Sequence, residues 1–241
     1  MALWTPDPDP AARTRLLCLP YAGGGTVEYR QWAQRAPAGL QVVPVSLPGR
    51  EARMRETAIR DMGALVAALV PAIEPLIDRP YAVFGHSMGA WIAYELVREL
   101  RRRGWPLPTR LFASGRRAPD LPDRLPPLHA LPEPAFILGL QERYNAIPAQ
   151  LLAQPTILAM FLPSLRADFE LLETYAWRPE PPLPLPLHAW WGSRDPVVHR
   201  YEMAAWDQHG SDLSMRQFTG GHFYVKEDRD TVLAAVLDAL G

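Results

Sequence analysis

Residues 81–97 read YAVFGHSMGAWIAYELV. The apolar run 81–84 is typical of a buried strand, and the segment after Gly89 has the pattern of a helix. Between them lies the motif Gly-x-Ser-x-Gly, in which Ser87 would occupy a very sharp turn from strand to helix. Glycine suits the positions two before and two after the serine, because larger side chains there would clash with the strand and the helix. An isolated pentapeptide is compatible with an ordinary Gly/Ser turn, but this context predicts that Ser87 is a nucleophile at a helix N-terminus.

The chain on either side of this segment alternates apolar, strand-like runs with helical spacing. Helices between such strands indicate parallel βαβ units, so we predict an α/β fold with a mostly parallel central sheet flanked by helices. The loops at the carboxyl ends of parallel strands meet at one edge of the sheet, where ligands bind. Further strands are predicted at 15–19, 41–47, 110–115, 187–192 and 212–218.

The alternation stops at residues 116–176, which contain no strand pattern. Helical pieces separated by prolines and rich in Leu, Ile, Met and Phe are predicted at 133–144, 150–162 and 165–175. Because this segment follows the carboxyl end of a strand, we predict an inserted helical lid that lines an apolar channel. The alternative is that these helices belong to the core. Residues 1–14 are predicted to be a flexible tail and 15–241 a single domain.

Two residues at the ends of later strands complement Ser87. Asp195 follows the fifth predicted strand and His222 follows the last one, which is the order of acid and histidine expected for a nucleophile elbow. His222 would take the proton of Ser87 as the acyl carbon is attacked, while Asp195 would fix the tautomer of the imidazole. We therefore predict a catalytic triad of these three residues. Asp120, which follows the fourth strand, is an alternative acid.

A tetrahedral intermediate on Ser87 needs two hydrogen-bond donors for its oxyanion. We expect one to be the backbone N–H of Met88, the residue after the nucleophile. The other is expected from the glycine-rich loop at 21–25, with Ala22 favoured and Gly23 as the alternative.

Two other residues near these motifs have a structural interpretation. We expect His86 to pack beside the elbow and to take no part in catalysis. We expect Asp168 to be a buried carboxylate that is paired with an arginine.

Composition excludes several classes of protein. The 241 residues are 48 % hydrophobic and carry a formal net charge of −1, so no nucleic-acid partner is expected. The one cysteine excludes an internal disulfide and is compatible with a reducing compartment. The N-terminus lacks the pattern of a signal peptide, and the longest apolar run, 64–73, is too short to span a bilayer. We expect a soluble, monomeric, cytoplasmic protein with no membrane association.

Seven motifs occur together and in order from about residue 15 to the end of the chain. As a set they resemble the type II (external, editing) thioesterases of polyketide and non-ribosomal peptide synthesis. The motifs are LPYAGG at 19–24, LPGREAR at 47–53, GHSMG at 85–89, SGRRAP at 114–119, LRAD at 165–168, GSRD at 192–195 and GGHF at 220–223.

The resemblance implies a stand-alone enzyme with the α/β-hydrolase fold and a helical lid. Such enzymes hydrolyse acyl groups from the phosphopantetheine thiol of acyl or peptidyl carrier proteins, and so clear stalled or mis-primed synthases. The triad carries over onto Ser87, Asp195 and His222, and the oxyanion donors onto Ala22 and Met88. No metal and no cofactor is implied, because a thioester needs only a nucleophile, a base and an oxyanion hole.

Two arginines lie on a loop expected at the active edge of the sheet. Arg50 and Arg53 are candidates for contact with the phosphate of phosphopantetheine or with an acidic carrier protein. The alternative is that both form structural ion pairs.

Three other functions share some of these features. A carboxylesterase or lipase would use the same triad on oxygen esters of small molecules, and a preference for pantetheine thioesters would distinguish the two. A carrier-binding module without chemistry is disfavoured by the intact candidate residues. A chain-terminating cyclase domain is expected to be fused to a synthase.

Overall fold

The computed structural model describes residues 5–145, 147 and 149–241. Over these residues, six strands form one sheet in the order β2-β1-β3-β4-β5-β6, and all neighbours are parallel. This confirms the predicted α/β fold with a parallel central sheet. The strands are β1 (Thr14–Leu19), β2 (Leu40–Pro44), β3 (Tyr81–His86), β4 (Leu111–Ser114), β5 (Pro186–Gly192) and β6 (Asp212–Phe218).

Helices cover both faces of the sheet because successive side chains of each strand point to opposite sides. In β1, Leu17 and Leu19 pack in the cluster that includes the helices at 62–73 and 88–102, whereas Leu16 and Cys18 pack in the cluster that includes the helices at 27–33 and 229–240. No helix over the described residues is long and apolar enough to cross a membrane. The helices are α1 (Val27–Ala33), α2 (Met62–Ile73), α3 (Met88–Arg102), α4 (Glu133–Tyr144), α5 (Ala149–Leu152), α6 (Pro155–Glu173), α7 (Arg200–Ala204), α8 (Tyr224–Glu227) and α9 (Arg229–Leu240).

Helices α4, α5 and α6 lie in the segment predicted to be a lid and share a separate hydrophobic cluster. We predicted two helices on either side of Pro163, which is wrong, because α6 continues through this proline. The apolar stripe Leu158, Leu162, Leu165 and Phe169 crosses the proline without a change of face. This packing offsets the one backbone hydrogen bond that a proline inside a helix removes.

Two parts of the predicted domain plan fall outside the described residues. These are positions 1–4 of the predicted tail and positions 146 and 148 of the predicted lid. The first strand begins at Thr14, one residue before the predicted domain boundary.

Glycine at position 89 is required by the close approach of α3 to the end of β1. A Cβ atom on Gly89 would lie 2.2 Å from the carbonyl oxygen of Leu19, which is backbone and cannot turn away. We therefore expect Gly89→Ala to lower the free energy of unfolding by at least about 2 kcal/mol in urea denaturation. Gly221→Ala is the matched control, because its added Cβ would meet nothing closer than 3.8 Å. Equal losses in the two variants would contradict this interpretation of the elbow.

Candidate active site

Ser87 lies at a strained turn between the last residue of β3 and the first residue of α3. Its backbone has φ 54° and ψ −114°, a conformation rarely adopted by residues other than glycine. The N–H of Ser87 donates to the carbonyl oxygen of Ser114 in the neighbouring strand β4 at 2.7 Å. A Cβ atom on Gly85 would lie 2.0 Å from the carbonyl oxygen of Gly89, so the two glycines allow the strand and the helix to approach. The structure thus shows the sharp turn that the motif predicts.

The structure brings Ser87, His222 and Asp195 together from the ends of β3, β6 and β5. The Nε2 atom of His222 lies 3.0 Å from the Oγ atom of Ser87, and its Nδ1 atom lies 2.7 Å from Oδ2 of Asp195. The other oxygen of Asp195 accepts the backbone N–H groups of Val197 and Val198 at 3.0 and 3.3 Å, which fixes the carboxylate. All three functional side chains are buried. This arrangement can transfer the serine proton to Nε2 while Asp195 accepts a hydrogen bond from Nδ1–H.

Asp120, the alternative acid, is paired with a different histidine. Its Oδ1 atom lies 2.7 Å from Nε2 of His209, and the other ring nitrogen of His209 lies 3.1 Å from the hydroxyl of Tyr94. His209 is itself buried. The geometry therefore favours Asp195 as the partner of His222.

His86, next to the nucleophile, is fully buried and packs beside the site, as the sequence predicts. Its Nδ1 atom lies 2.8 Å from the hydroxyl of Ser114, and its ring centroid lies 5.3 Å from that of His222. Burial, and secondarily the nearby His222, hold the pKa of His86 well below its ordinary value. His86 is therefore a neutral neighbour of His222.

Ser87 and His222 line a small pocket. Ala22 lies beside them, and the walls come largely from the helices α4 and α6. The ring of Tyr144 lies edge-on to His222, with their centroids 5.2 Å apart. We did not single out any of the wall residues from the sequence, because an apolar stripe does not show which members face a pocket and which face the core. The walls include Tyr21, Tyr144, Leu165, Phe169, Leu172 and Phe223.

The two predicted sources of the second oxyanion donor differ in their contacts. The N–H of Gly23 donates to Oδ2 of Asp168 at 2.8 Å and is therefore already occupied. The N–H of Ala22 has no acceptor within the part of the chain that the structure describes. Met88 is the first residue of α3, so its N–H has no partner within the helix. The described contacts leave Ala22, rather than Gly23, with an available donor next to Ser87.

The candidate contact residues Arg50 and Arg53 are both buried, with exposed fractions of 5 % and 3 %. Arg50 forms a two-pronged pair with Asp168, with N–O distances of 2.6 and 2.8 Å, which confirms that Asp168 is paired with an arginine. Arg53 donates to the carboxylate of Glu56 and to the carbonyl oxygen of Ser46. Both arginines thus form structural ion pairs, which is the alternative that the sequence analysis gives for them. Burial of both guanidinium groups leaves the predicted contact with a phosphate or an acidic carrier protein without support from this geometry.

A parallel sheet with a serine at a strained strand-to-helix elbow defines an α/β-hydrolase. The model of the family described as "Thioesterase domain" matches residues 14–240. The chain therefore belongs to the thioesterase family and is a hydrolase.

Similarity to individual relatives also extends over nearly the whole chain. The gramicidin S biosynthesis protein GrsT of Aneurinibacillus migulanus is 36 % identical and covers 91 % of this chain and 86 % of its own length. Thioesterase PikA5 of Streptomyces venezuelae is 35 % identical and covers 97 % of this chain and 83 % of its own length. The solved structure of the type II thioesterase BorB from the borrelidin biosynthetic cluster has a TM-score of 0.88 and 33 % identity, covering 99 % of this chain and 98 % of that one. The resemblance to type II thioesterases is confirmed.

Proposed function

We propose that this thioesterase hydrolyses acyl groups from the phosphopantetheine thiol of acyl or peptidyl carrier proteins, and so clears stalled or mis-primed synthases. The observation that carries the proposal is the chain of hydrogen bonds from Asp195 through His222 to Ser87 beside a pocket. Similarity to proteins named for antibiotic and polyketide biosynthesis supports the carrier protein as the source of the thioester.

The first half of the reaction is acyl transfer to the enzyme. The Oγ atom of Ser87 attacks the thioester carbonyl carbon while its proton moves to Nε2 of His222. Asp195 accepts the hydrogen bond from Nδ1–H and stabilises the imidazolium that forms. The tetrahedral intermediate then loses the pantetheine sulfur, which takes the proton back from His222. The products are an acyl-serine ester and a free pantetheine thiol.

The second half is hydrolysis of the acyl-serine ester. A water molecule gives a proton to His222 and attacks the ester carbonyl, and the second intermediate expels Ser87 as the proton returns to its Oγ atom. In both halves the N–H groups of Ala22 and Met88 are assigned the role of donating hydrogen bonds to the negatively charged carbonyl oxygen. Both belong to backbone held next to Ser87, which is the arrangement that stabilises charge without reorganisation in the transition state.

The proposal is tested with a carrier protein that bears an acetyl group on its phosphopantetheine arm. We expect the enzyme to remove the acetyl group, observed by intact-protein mass spectrometry as the return of the carrier to its unloaded mass. A reaction without enzyme provides the background rate. Release rates for carriers loaded with longer acyl groups would then show which acyl lengths the enzyme hydrolyses.

Two results would contradict the proposal. Rapid cleavage of p-nitrophenyl acetate with no release from the loaded carrier would indicate an esterase of small molecules. No cleavage of either substrate, with binding of the carrier retained, would indicate a carrier-binding module.

A further inference from the structure

We propose that Asp168 and Arg50 are positioning residues that hold the loop 21–25 in the conformation that presents the Ala22 N–H to the oxyanion formed on Ser87. This inference rests on the proposed function, because it assigns a positioning role in that reaction. The two residues themselves contact neither the serine nor the histidine. Asp168 comes from α6 in the predicted lid and Arg50 from the loop after β2, so three distant segments meet at this point.

The contacts converge on the backbone of the loop. Asp168 Oδ2 accepts the N–H of Gly23 at 2.8 Å and also a hydrogen bond from Arg50 at 2.8 Å, while its Oδ1 accepts a second one from Arg50 at 2.6 Å. Arg50 donates in addition to the carbonyl oxygen of Gly24 at 3.0 Å. One carboxylate and one guanidinium group thus fix two peptide units of the loop, Ala22–Gly23 through its N–H and Gly24–Gly25 through its carbonyl oxygen.

The conformation of the loop explains why this fixation matters. The N–H of Gly24 donates to the carbonyl oxygen of Tyr21 at 2.8 Å, and Gly23 has φ +72°, as in a type II turn with Ala22 and Gly23 as its central residues. Types I and II differ in the orientation of the peptide between the two central residues. The bond from the Gly23 N–H to Asp168 holds this peptide in one orientation, and with it the placement of Ala22 beside Ser87.

The pair is also buried enough to act as a rigid support. Arg50 is 5 % exposed and Asp168 is 2 % exposed. A buried ion pair often contributes no more to stability than apolar residues of the same volume, because both charges lose their hydration. Its two-pronged geometry fixes direction and distance, which is what an oxyanion donor requires.

A second ion pair on α6 provides the matched control. Glu170, two residues after Asp168, pairs with Arg60 at 2.6 Å, and both side chains are partly exposed. This pair also joins α6 to the segment before α2, but it has no contact with the loop 21–25. Glu170→Gln therefore removes a carboxylate from the same helix without releasing the loop.

The test compares Asp168→Asn with Glu170→Gln in three measurements on the folded protein. We expect Asp168→Asn to lower kcat/KM for acetyl-pantetheine by about 10- to 100-fold, since small misplacements of catalytic groups have effects of this size. The Ki of a trifluoroacetonyl thioether of pantetheine, whose ketone forms a tetrahedral oxyanion adduct with serine, should rise by the same factor. The Kd of the corresponding propyl thioether, which forms no adduct, should stay unchanged. Glu170→Gln should leave all three values unchanged.

The outcomes separate a positioning role from a merely structural one. An Asp168→Asn protein that melts at a lower temperature but keeps kcat/KM and Ki at wild-type values would overturn the inference. A parallel loss of affinity for both thioethers would overturn it as well, because it would place the effect on the substrate pocket. Absence of thioesterase activity in the wild-type enzyme would instead contradict the proposed function.

Arg50→Lys is used if Asp168→Asn does not fold. This variant keeps a positive charge beside Asp168 but cannot donate to the carboxylate and to Gly24 in the same planar arrangement. We expect a smaller loss of kcat/KM, again with a matching rise in Ki for the ketone and an unchanged Kd for the propyl thioether. Wild-type values of kcat/KM and Ki in Arg50→Lys would overturn the inference.

Discussion

Ser87→Ala is expected to lower kcat/KM for an acylated carrier protein by about 10⁴-fold or more, because removal of the nucleophile eliminates the acyl-enzyme route. The substitution removes one hydroxyl from the elbow and leaves the glycines on either side in place. We therefore expect circular dichroism and the melting temperature to stay close to those of the wild type. Intact-protein mass spectrometry would in addition show acyl-enzyme for the wild type at short times and none for Ser87→Ala.

The matched control for this experiment is Ser193→Ala. Ser193 is exposed and lies two residues before Asp195, with its backbone N–H bonded to Phe218 and no hydrogen bond from its hydroxyl to the described residues. Its replacement should leave the rate unchanged. If Ser87→Ala retained activity comparable to this control, the nucleophile would have to be sought elsewhere.

Asp195→Asn is expected to lower kcat/KM by about 10⁴-fold, while Asp120→Asn should have little effect on the same reaction. An asparagine in place of Asp195 would present a neutral amide to the Nδ1 atom of His222, favour the wrong tautomer and leave the imidazolium without a counter-charge. Asp120 contacts His209 instead, and His209 contacts Tyr94 of α3. Replacement of Asp120 therefore alters this chain of contacts and not the one through His222. Both variants would be measured with the acetylated carrier under identical conditions.

The ranking of the two aspartate variants decides which one is the acid. A severe loss in Asp120→Asn together with a mild loss in Asp195→Asn would require His222 to change its partner during the reaction. Melting temperatures measured beside the rates would show whether either loss reflects unfolding.

The fold and the meeting of Ser87, Asp195 and His222 could be predicted because both depend on local pattern and chain order. Strand-like runs that alternate with helical spacing imply parallel strands, and parallel strands bring their carboxyl ends to one edge. Each of the three residues lies one to four residues after the end of such a strand, so their proximity did not depend on the details of packing. The elbow added a local signal, since two glycines around a serine are required by the close approach of strand and helix.

The contacts of Arg50 and the course of α6 were harder to predict because they depend on the tertiary structure. The partner of Arg50 lies 118 residues away in sequence, and only the packing of α6 against the loop 21–25 brings the two together. A proline usually interrupts a helix, and the sequence could not show that the apolar stripe on both sides of Pro163 would be buried in one cluster. Burial of Arg50 and Arg53 likewise follows from tertiary contacts, which residue type alone does not reveal.

Helix α6 carries both the support of the loop 21–25 and a wall of the pocket. Leu165, Phe169 and Leu172 line the pocket, and Asp168 lies among them on the same turns of the helix. We expect a substitution that enlarges or shrinks one of these side chains to shift the helix that bears Asp168. If the pocket holds the acyl group and Asp168 positions the loop, as proposed above, changes of acyl-chain selectivity made along this helix are expected to lower turnover as well. Helix α4 contributes Tyr144 to the same pocket and does not bear Asp168, so we expect changes of selectivity confined to α4 to leave turnover less affected.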